Sequence, residues 1–289
     1  MGSSRRTVLR GLGGAAVCGV TGTFVYGRLV ATDGSAAGTD IDALVAGSLL
    51  GVARRLGGAT IEAHGSAAVR RLILNTGRSP DAVALADPRL FNGVAGRATL
   101  FATNALVLAY DRESAHAPAI ERDWRAAIRD IERTDIEIGR TDPDADPLGY
   151  RTVMALRLAE QTYGFDAESV LDRSEVLPET DLLSVLDSGG LDAAFAYRNM
   201  AVERGIKYRS LPTRIDFSDP ARADSYGRVS YDLDGKSIEG APIRYAAAAT
   251  TAAGEPWVER LVTAGAALRE SGFEVPAAYP IRDASVGTN

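Results

Sequence analysis

Thr141-Asp142-Pro143-Asp144-Ala145-Asp146-Pro147-Leu148-Gly149-Tyr150-Arg151 sets three acidic residues among two prolines and then runs into a helical apolar pattern. Proline drives the residue before it out of the α region, so Asp142 and Asp146 are held extended or in a turn. Pro147 suits the first position of a helix, where a missing N–H costs nothing, and this puts Asp146 on the N-cap. Val153, Met154, Leu156, Leu158 and Tyr163 follow as one buried stripe. Asp146 is therefore a carboxylate held at a helix mouth. Capping alone would account for it, contributing about 1 kcal/mol; the other reading makes it half of a ligand site, and the rest of the chain bears on the choice.

A chain of 289 residues has room for two domains or for one large α/β domain with insertions. Its 46% hydrophobic content supports a real core, and 24% charged residues is ordinary for a globular protein. The net charge of −6 argues against nucleic acid as a partner, because no general basic field is available. Any anion must be met by local groups. Lys207 and Lys236 are the only lysines, so arginine carries nearly all the positive charge. With abundant Asp and Ala, this fits a high-GC, salt-adapted source, although codon bias alone gives the same shift. A single cysteine, Cys18, excludes an internal disulfide.

The N-terminus reads as an address. Ser4-Arg5-Arg6-Thr7-Val8-Leu9-Arg10 resembles the twin-arginine export motif, and a weakly apolar stretch from Gly11 to Tyr26 follows. Glycines at 11, 13, 14, 19 and 22 disfavour a buried helix there. The expectation is an extracytoplasmic protein exported by the twin-arginine route and tethered to the outer face of the cell membrane. The tether is open between lipidation at Cys18, retention of the apolar stretch and its removal; Ala15-Ala16-Val17 lacks the small residue expected just before a lipidated cysteine. Ala31 to Gly38 reads as a linker.

In the body, Ile41 to Ala46 reads as a strand ending at Gly47-Ser48 before a helical Leu49 to Leu56. Thr60 to Ala63 is a second strand, ending at Gly65-Ser66 before a helical Ala67 to Leu74. The same device occurs twice: a tight turn, free N–H groups and a hydroxyl at the positive end of a helix, which suits an oxyanion. Ala82 to Ala86 is a third strand, followed by Asp87-Pro88 and a short helix. Leu100 to Tyr110 is one long apolar strand able to pass between domains. Asp123-Trp124 opens a helix to about Ile131, and Ile136 to Gly139 is the strand leading into the acidic stretch. Alternation of this kind implies a mostly parallel sheet with ligands at the carboxyl ends of its strands.

Beyond the helix after Asp146, Val176-Leu177 is a short strand, and Pro178-Glu179-Thr180-Asp181 opens a helix over Leu182 to Leu186. Glu179 is thus a second carboxylate at a helix start, whose bland role is to complement the dipole. Leu191 to Ala196 is a buried strand ending at Tyr197-Arg198-Asn199; Tyr197 fits a core tyrosine, but a strand end places its hydroxyl where ligands lie. Val229 to Leu233, Asp234-Gly235 and Ser237 to Ile243 read as a hairpin. Arg244 to Thr251 offers a second apolar crossing, and Glu255 to Glu270 is a final amphipathic helix.

Several of these stretches together resemble the archaeal tungstate/molybdate-binding proteins of ABC importers, within the periplasmic-type binding-protein superfamily. They are Gly47-Ser48-Leu49-Leu50, Glu62-Ala63-His64-Gly65-Ser66-Ala67, Ala84-Leu85-Ala86-Asp87, Ala102-Thr103-Asn104-Ala105-Leu106-Val107, Asp144 to Arg151, Pro178-Glu179-Thr180-Asp181-Leu182-Leu183 and Phe195-Ala196-Tyr197-Arg198. The similarity runs from about Ile41 to Pro280, and its most specific element is Asp-Pro-x-Gly-Tyr-Arg followed by the later Glu and Tyr. It departs from the family at Ala145, where relatives often carry a second aspartate, at Leu148, where cysteine is common, and in a shorter segment before Glu179.

The resemblance implies an α/β, two-lobed periplasmic-binding-protein-like fold of the class II type, with ligand in the interlobe cleft and two crossover hinge segments. Residues 1–38 would be signal and linker, 39–105 with 247–289 lobe I, and 106–246 lobe II. It implies that Ser48 and Ser66 donate hydrogen bonds to the oxyanion, that Asp146 and Glu179 approach its tungsten or molybdenum, and that Tyr197 meets an oxo group. It further implies no cofactor beyond the tungstate or molybdate carried, ABC permease subunits as partners, a monomer and no enzymatic activity. Two carboxylates facing sulfate or phosphate would repel it, whereas a hard, high-valent metal accepts further oxygen ligands. A receptor for sulfate or another tetrahedral oxyanion is the alternative, and ferric iron on Tyr197, Glu179 and Asp146 a third. A hydrolase would need His64 with Ser66, but no Gly-x-Ser-x-Gly elbow exists and His116 is the only other histidine.

Overall fold

The structure, a computed structural model, describes residues 41–286 apart from 130, 132 and 133. The export motif, Cys18 and the expected linker lie outside the described residues. The chain opens with β1 (Asp42–Ala46), α1 (Leu50–Leu56), β2 (Thr60–His64), α2 (Ser66–Thr76) and β3 (Ala82–Leu85). β1 pairs in parallel with β2 on one side and β3 on the other, because each connection is a helical crossover. Ala43, Leu44, Val45 and Ala46 are all fully buried, as a central strand covered on both faces requires. A turn of 3-10 helix at Gly47–Leu49 precedes α1, and another at Pro88–Phe91 follows β3.

The apolar run expected as one strand from Leu100 to Tyr110 is two. β4 (Arg97–Thr103) belongs to the first sheet and β5 (Leu106–Tyr110) to a second. The break at Asn104-Ala105 is held by side-chain bonds: Asn104 Oδ1 accepts from the Ala105 N–H at 2.9 Å, and its Nδ2 donates to Asn199 Oδ1 at 2.8 Å. Two apolar strands joined through a single buried asparagine look like one from the sequence, and the bend shows only when each finds its sheet.

The second layer holds α3 (Ala117–Arg129), β6 (Ile138–Thr141), α4 (Pro147–Tyr163), α5 (Ala167–Arg173), β7 (Glu175–Leu177), α6 (Leu182–Asp187), β8 (Ala193–Tyr197), α7 (Arg198–Arg204) and β9 (Lys207–Ser210). α3 is two helical pieces broken at Asp123 (φ −155°, ψ 96°), whose carboxylate accepts from the Arg125 N–H. Asp123 therefore does open a helix, and an earlier turn precedes it. Sequence reading anticipated neither α5, α7 nor β9.

α8 (Ala223–Tyr226) and the antiparallel hairpin β10 (Ser230–Leu233) and β11 (Lys236–Glu239) come next. Its turn takes positive φ at both Asp234 (54°) and Gly235 (73°), the conformation for which Asp-Gly is suited. The chain closes with β12 (Arg244–Ala249), α9 (Glu255–Thr263), α10 (Gly265–Glu270) and β13 (Ile281–Ser285). The single final helix expected over Glu255 to Glu270 is interrupted at Ala264.

The first sheet has the order β13-β4-β12-β3-β1-β2 and the second β7-β6-β8-β5-β9. Both are mixed rather than mostly parallel. β12 runs antiparallel to β3 and β4, and β5 antiparallel to β8 and β9, because these strands enter from the other lobe. β12 lies wholly inside the first sheet, so the second crossing falls ahead of Arg244 rather than along the expected Arg244 to Thr251. The crossing segments lie side by side: Leu106 N–H donates to Asp216 O and Ile243 N–H to Phe217 O, each at 2.9 Å.

Candidate functional site

Every residue singled out for the site follows the carboxyl end of a strand. Gly47-Ser48 follows β1, Gly65-Ser66 follows β2, Asp146 follows β6, Glu179 follows β7, and Tyr197 ends β8. Ser48, Ser66, Asp146, Glu179 and Tyr197 are all buried, and the structure brings them into one cleft between the sheets. The two glycines show how close the lobes come. A Cβ on Gly47 would lie 2.6 Å from Glu179 Oε2; on Gly65 it would strike the Ala145 carbonyl and come within 2.6 Å of Asp146 Cβ. Each Gly-Ser turn of one lobe thus sits against one carboxylate of the other, and only glycine leaves room for it.

Ser66 Oγ accepts from the Ala86 N–H at 3.0 Å, which leaves its own proton to donate. Ser48 Oγ accepts from the Tyr245 hydroxyl at 3.1 Å, and its carbonyl accepts from Asn199 Nδ2 at 2.7 Å. Further bonds hold the lobes together, from Ala68 N–H to Ala145 O at 3.0 Å and from Arg71 Nη1 to Asp144 O at 2.7 Å.

Asp146 is the N-cap of α4, as the two prolines require: its Oδ1 accepts from the Gly149 N–H at 3.0 Å and from Thr141 Oγ1 at 3.1 Å. It is also 1% exposed, so its carboxylate is removed from solvent as well as capping the helix. Burial pushes its carboxyl well above the usual range, the two hydrogen bonds oppose this in part, and the nearby charge of Asp142 adds to it. Glu179 is also pushed well above the usual range, by burial first and then by the charge of Asp146 beside it. The Gly47 and Ser48 N–H groups and the Ser48 hydroxyl pull it back, yet both Glu179 oxygens lack a hydrogen-bond partner. Two adjacent buried carboxylates, one unpaired, are costly in a folded protein. They stabilise only something that supplies positive charge or a proton between them.

The same cleft contains a cation that sequence reasoning quoted without assigning a role. Arg151, 1% exposed, donates from Nη1 to Ala86 O at 2.9 Å and to Tyr197 Oη at 2.7 Å, and from Nη2 to Asp87 Oδ2 at 3.1 Å. Asp87 also accepts from Tyr150 Oη at 2.7 Å and from Arg89 Nη2 at 2.6 Å. Burial raises the Asp87 carboxyl, but the Arg89 and Arg151 guanidiniums outweigh it and hold it well below the usual range. Burial also pushes the Tyr197 phenol up, keeping it protonated. Tyr245, Asn104 and Asn199 complete the wall. The signal for Arg151, Tyr150 and Asp87 was present in the Gly-Tyr-Arg run and in Asp87-Pro88 at a strand end; Tyr245 and Asn199 carry no local signal.

His64 Nε2 lies 2.9 Å from Glu62 Oε1, and His116 pairs with Asp135 at 3.0 Å. Neither pairing is the serine–histidine contact a hydrolase requires. Among the described residues no group of three or more His, Cys, Asp and Glu side chains forms a metal site, and no helix is long and apolar enough to cross a membrane.

Two lobes built on mixed sheets meet at buried polar groups on their strand ends. Residues 58–274 match the bacterial extracellular solute-binding protein family, and the chain belongs to it. It is 45% identical to a Haloferax volcanii protein named as a candidate molybdenum-binding protein of an ABC transporter, over 96% of this chain and 94% of that one. It is 32% identical to the molybdate/tungstate-binding protein of Pyrococcus abyssi, over 64% of this chain and 63% of that one. Among solved structures, the periplasmic molybdate-binding protein of Azotobacter vinelandii superposes with a TM-score of 0.56 at 15% identity, covering 82% of this chain and all of that one. The sulfate-binding protein of Mycobacterium tuberculosis does so with a TM-score of 0.54 at 14% identity, covering 82% and 87%. At such identities the structures share the fold alone.

Proposed function

We propose that this protein is the extracytoplasmic receptor of an ABC importer, capturing molybdate or tungstate between its lobes and delivering it to membrane permease subunits. The observation that carries this reading is the pair Asp146 and Glu179, buried together with both Glu179 oxygens unpaired. Toward sulfate or phosphate such a pair is repulsive. Toward tungsten or molybdenum it is a source of two further oxygen ligands, so the carboxylates select for a central atom able to expand its coordination. Ser48, Ser66, Tyr197 and the N–H groups of the Gly-Ser turns hydrogen-bond the oxo groups. The names of the relatives support the same ligand class.

The receptor works as a monomer, needs no cofactor and performs no chemistry. Closure follows capture, with bending at Asn104-Ala105 and in the segments between Phe217 and Ile243. The N-terminal twin-arginine motif supports export in the folded state and a tether on the outer face of the membrane. Titration calorimetry at high chloride with tungstate, molybdate and sulfate side by side tests the assignment. Heat from the first two and none from sulfate is the expected result, whereas sulfate binding alone would reassign the ligand and reduce the two carboxylates to structural groups.

A further inference from the structure

Arg151 and Tyr197 meet where contact with the central metal is not at issue. A guanidinium has donors only. The 2.7 Å bond from Arg151 Nη1 therefore commits the Tyr197 oxygen as acceptor, and the phenol proton must point elsewhere. Among the described residues that proton meets no acceptor, although the ring is fully buried, edge-on to Tyr245 at 6.2 Å and within the field of Glu179. Arg151 is itself oriented from the other lobe, by the Ala86 carbonyl and by Asp87, which Tyr150 and Arg89 fix in turn.

We propose that Arg151 is a positioning residue that makes Tyr197 an obligate hydrogen-bond donor to the oxyanion, and that it does so only with the lobes closed. The inference rests on the oxyanion-receptor reading above. Its physical content is that accepting a charge-assisted bond polarises the phenol and makes it a stronger donor to an oxo group. Because Ala86 and Asp87 belong to the lobe opposite Arg151, opening removes two of the three anchors of the guanidinium. The phenol is then free to rotate, and release of the anion is eased at the step when it must leave.

A double-mutant cycle separates this role from simple bracing. Molybdate and tungstate are titrated calorimetrically into the full-length chain carrying Tyr197→Phe, Arg151→Lys or both. Lysine keeps the charge but cannot hold Tyr197 and Asp87 at once. Each single change should weaken binding about tenfold or more, the scale of one charge-assisted hydrogen bond. The double variant should be no more than about twofold weaker than Arg151→Lys, since a phenol that is no longer aimed has little left to lose. Losses that multiply would show that Arg151 only braces the lobes, and would overturn the proposal. If Arg151→Lys does not fold, as read by circular dichroism, Asp87→Asn takes its place in the cycle with the same expectation and the same overturning result. Should Tyr197→Phe bind normally while Asp146→Asn does not bind, the proposal fails and the receptor reading stands. If the unmodified chain binds neither anion, both fail.

Discussion

At the residue scale, Asp146 caps a helix and, in the proposed function, also ligates the metal of the oxyanion, and substitution can separate the two. Asparagine caps a helix about as well as aspartate, so Asp146→Asn should leave the ligand-free protein at least as stable, within about 0.5 kcal/mol or better, while weakening molybdate and tungstate binding by about a hundredfold. Asp146→Ala should lose the same affinity and a further ~1 kcal/mol of stability with the cap. Denaturant melts paired with calorimetry read both quantities, and equal affinity in Asp146→Asn and wild type would restore the purely capping role. Glu179 predicts a pH dependence. Its carboxyl is raised by folding, so the native state binds more protons than the unfolded chain. Stability is then present at low pH and falls as pH rises from about 4, where unfolded carboxylates ionise, through the raised native value. Thermal melts of the ligand-free protein from pH 5 to 9 should show this decline, and Glu179→Gln should make it shallower while abolishing tight binding, the buried Asp146 carboxyl, raised to about 7, keeping the remainder. An unchanged slope in the variant would show that Glu179 is not strained by burial.

At the scale of the elements, the two strand-turn-helix units β1–α1 and β2–α2 present their turns to the carboxylates of the opposite lobe. Gly47 needs no unusual backbone angle, so alanine is compatible with its own turn; the conflict is with Glu179 Oε2, 2.6 Å from the added carbon. Gly47→Ala should therefore leave thermal stability nearly unchanged and cost affinity by preventing full closure, with titration calorimetry as the readout. A drop in melting temperature with normal affinity would place the constraint inside the first lobe. The Gly-Ser turns and the Asp-Pro helix start were legible in the sequence because each depends on residues a few positions apart. The break at Asn104-Ala105 was not, since the Asn104 side chain is held by Asn199 and Tyr245, 95 and 141 residues away. α7 was missed for a similar reason: its start at Arg198 abuts a buried strand with no intervening turn residue, and its N-cap Tyr197 makes no capping bond.

At the scale of the whole molecule, the lobes are joined by few chain crossings and by bonds between them such as Arg71 Nη1 to Asp144 O and Arg151 Nη2 to Asp87 Oδ2. Ligand binding to the closed form alone should stabilise the protein by about 2.7 kcal/mol at a free concentration one hundred times Kd, raising the melting temperature by several degrees. Small-angle scattering on the same samples should show a smaller radius of gyration with molybdate or tungstate. Stabilisation with no change in radius would mean that closure precedes capture. The amino-acid sequence by itself determined the strand-helix alternation, the polar turns at strand ends and the placement of Asp146, Glu179 and Tyr197 there, because proline, glycine and apolar periodicity act over one or two turns of chain. Only the tertiary structure decided that the sheets are mixed, that Glu179 is left unpaired beside Asp146, and that Arg151 joins Tyr197 to Asp87. Those facts depend on how closely two lobes separated along the chain approach each other, and no local pattern encodes that distance.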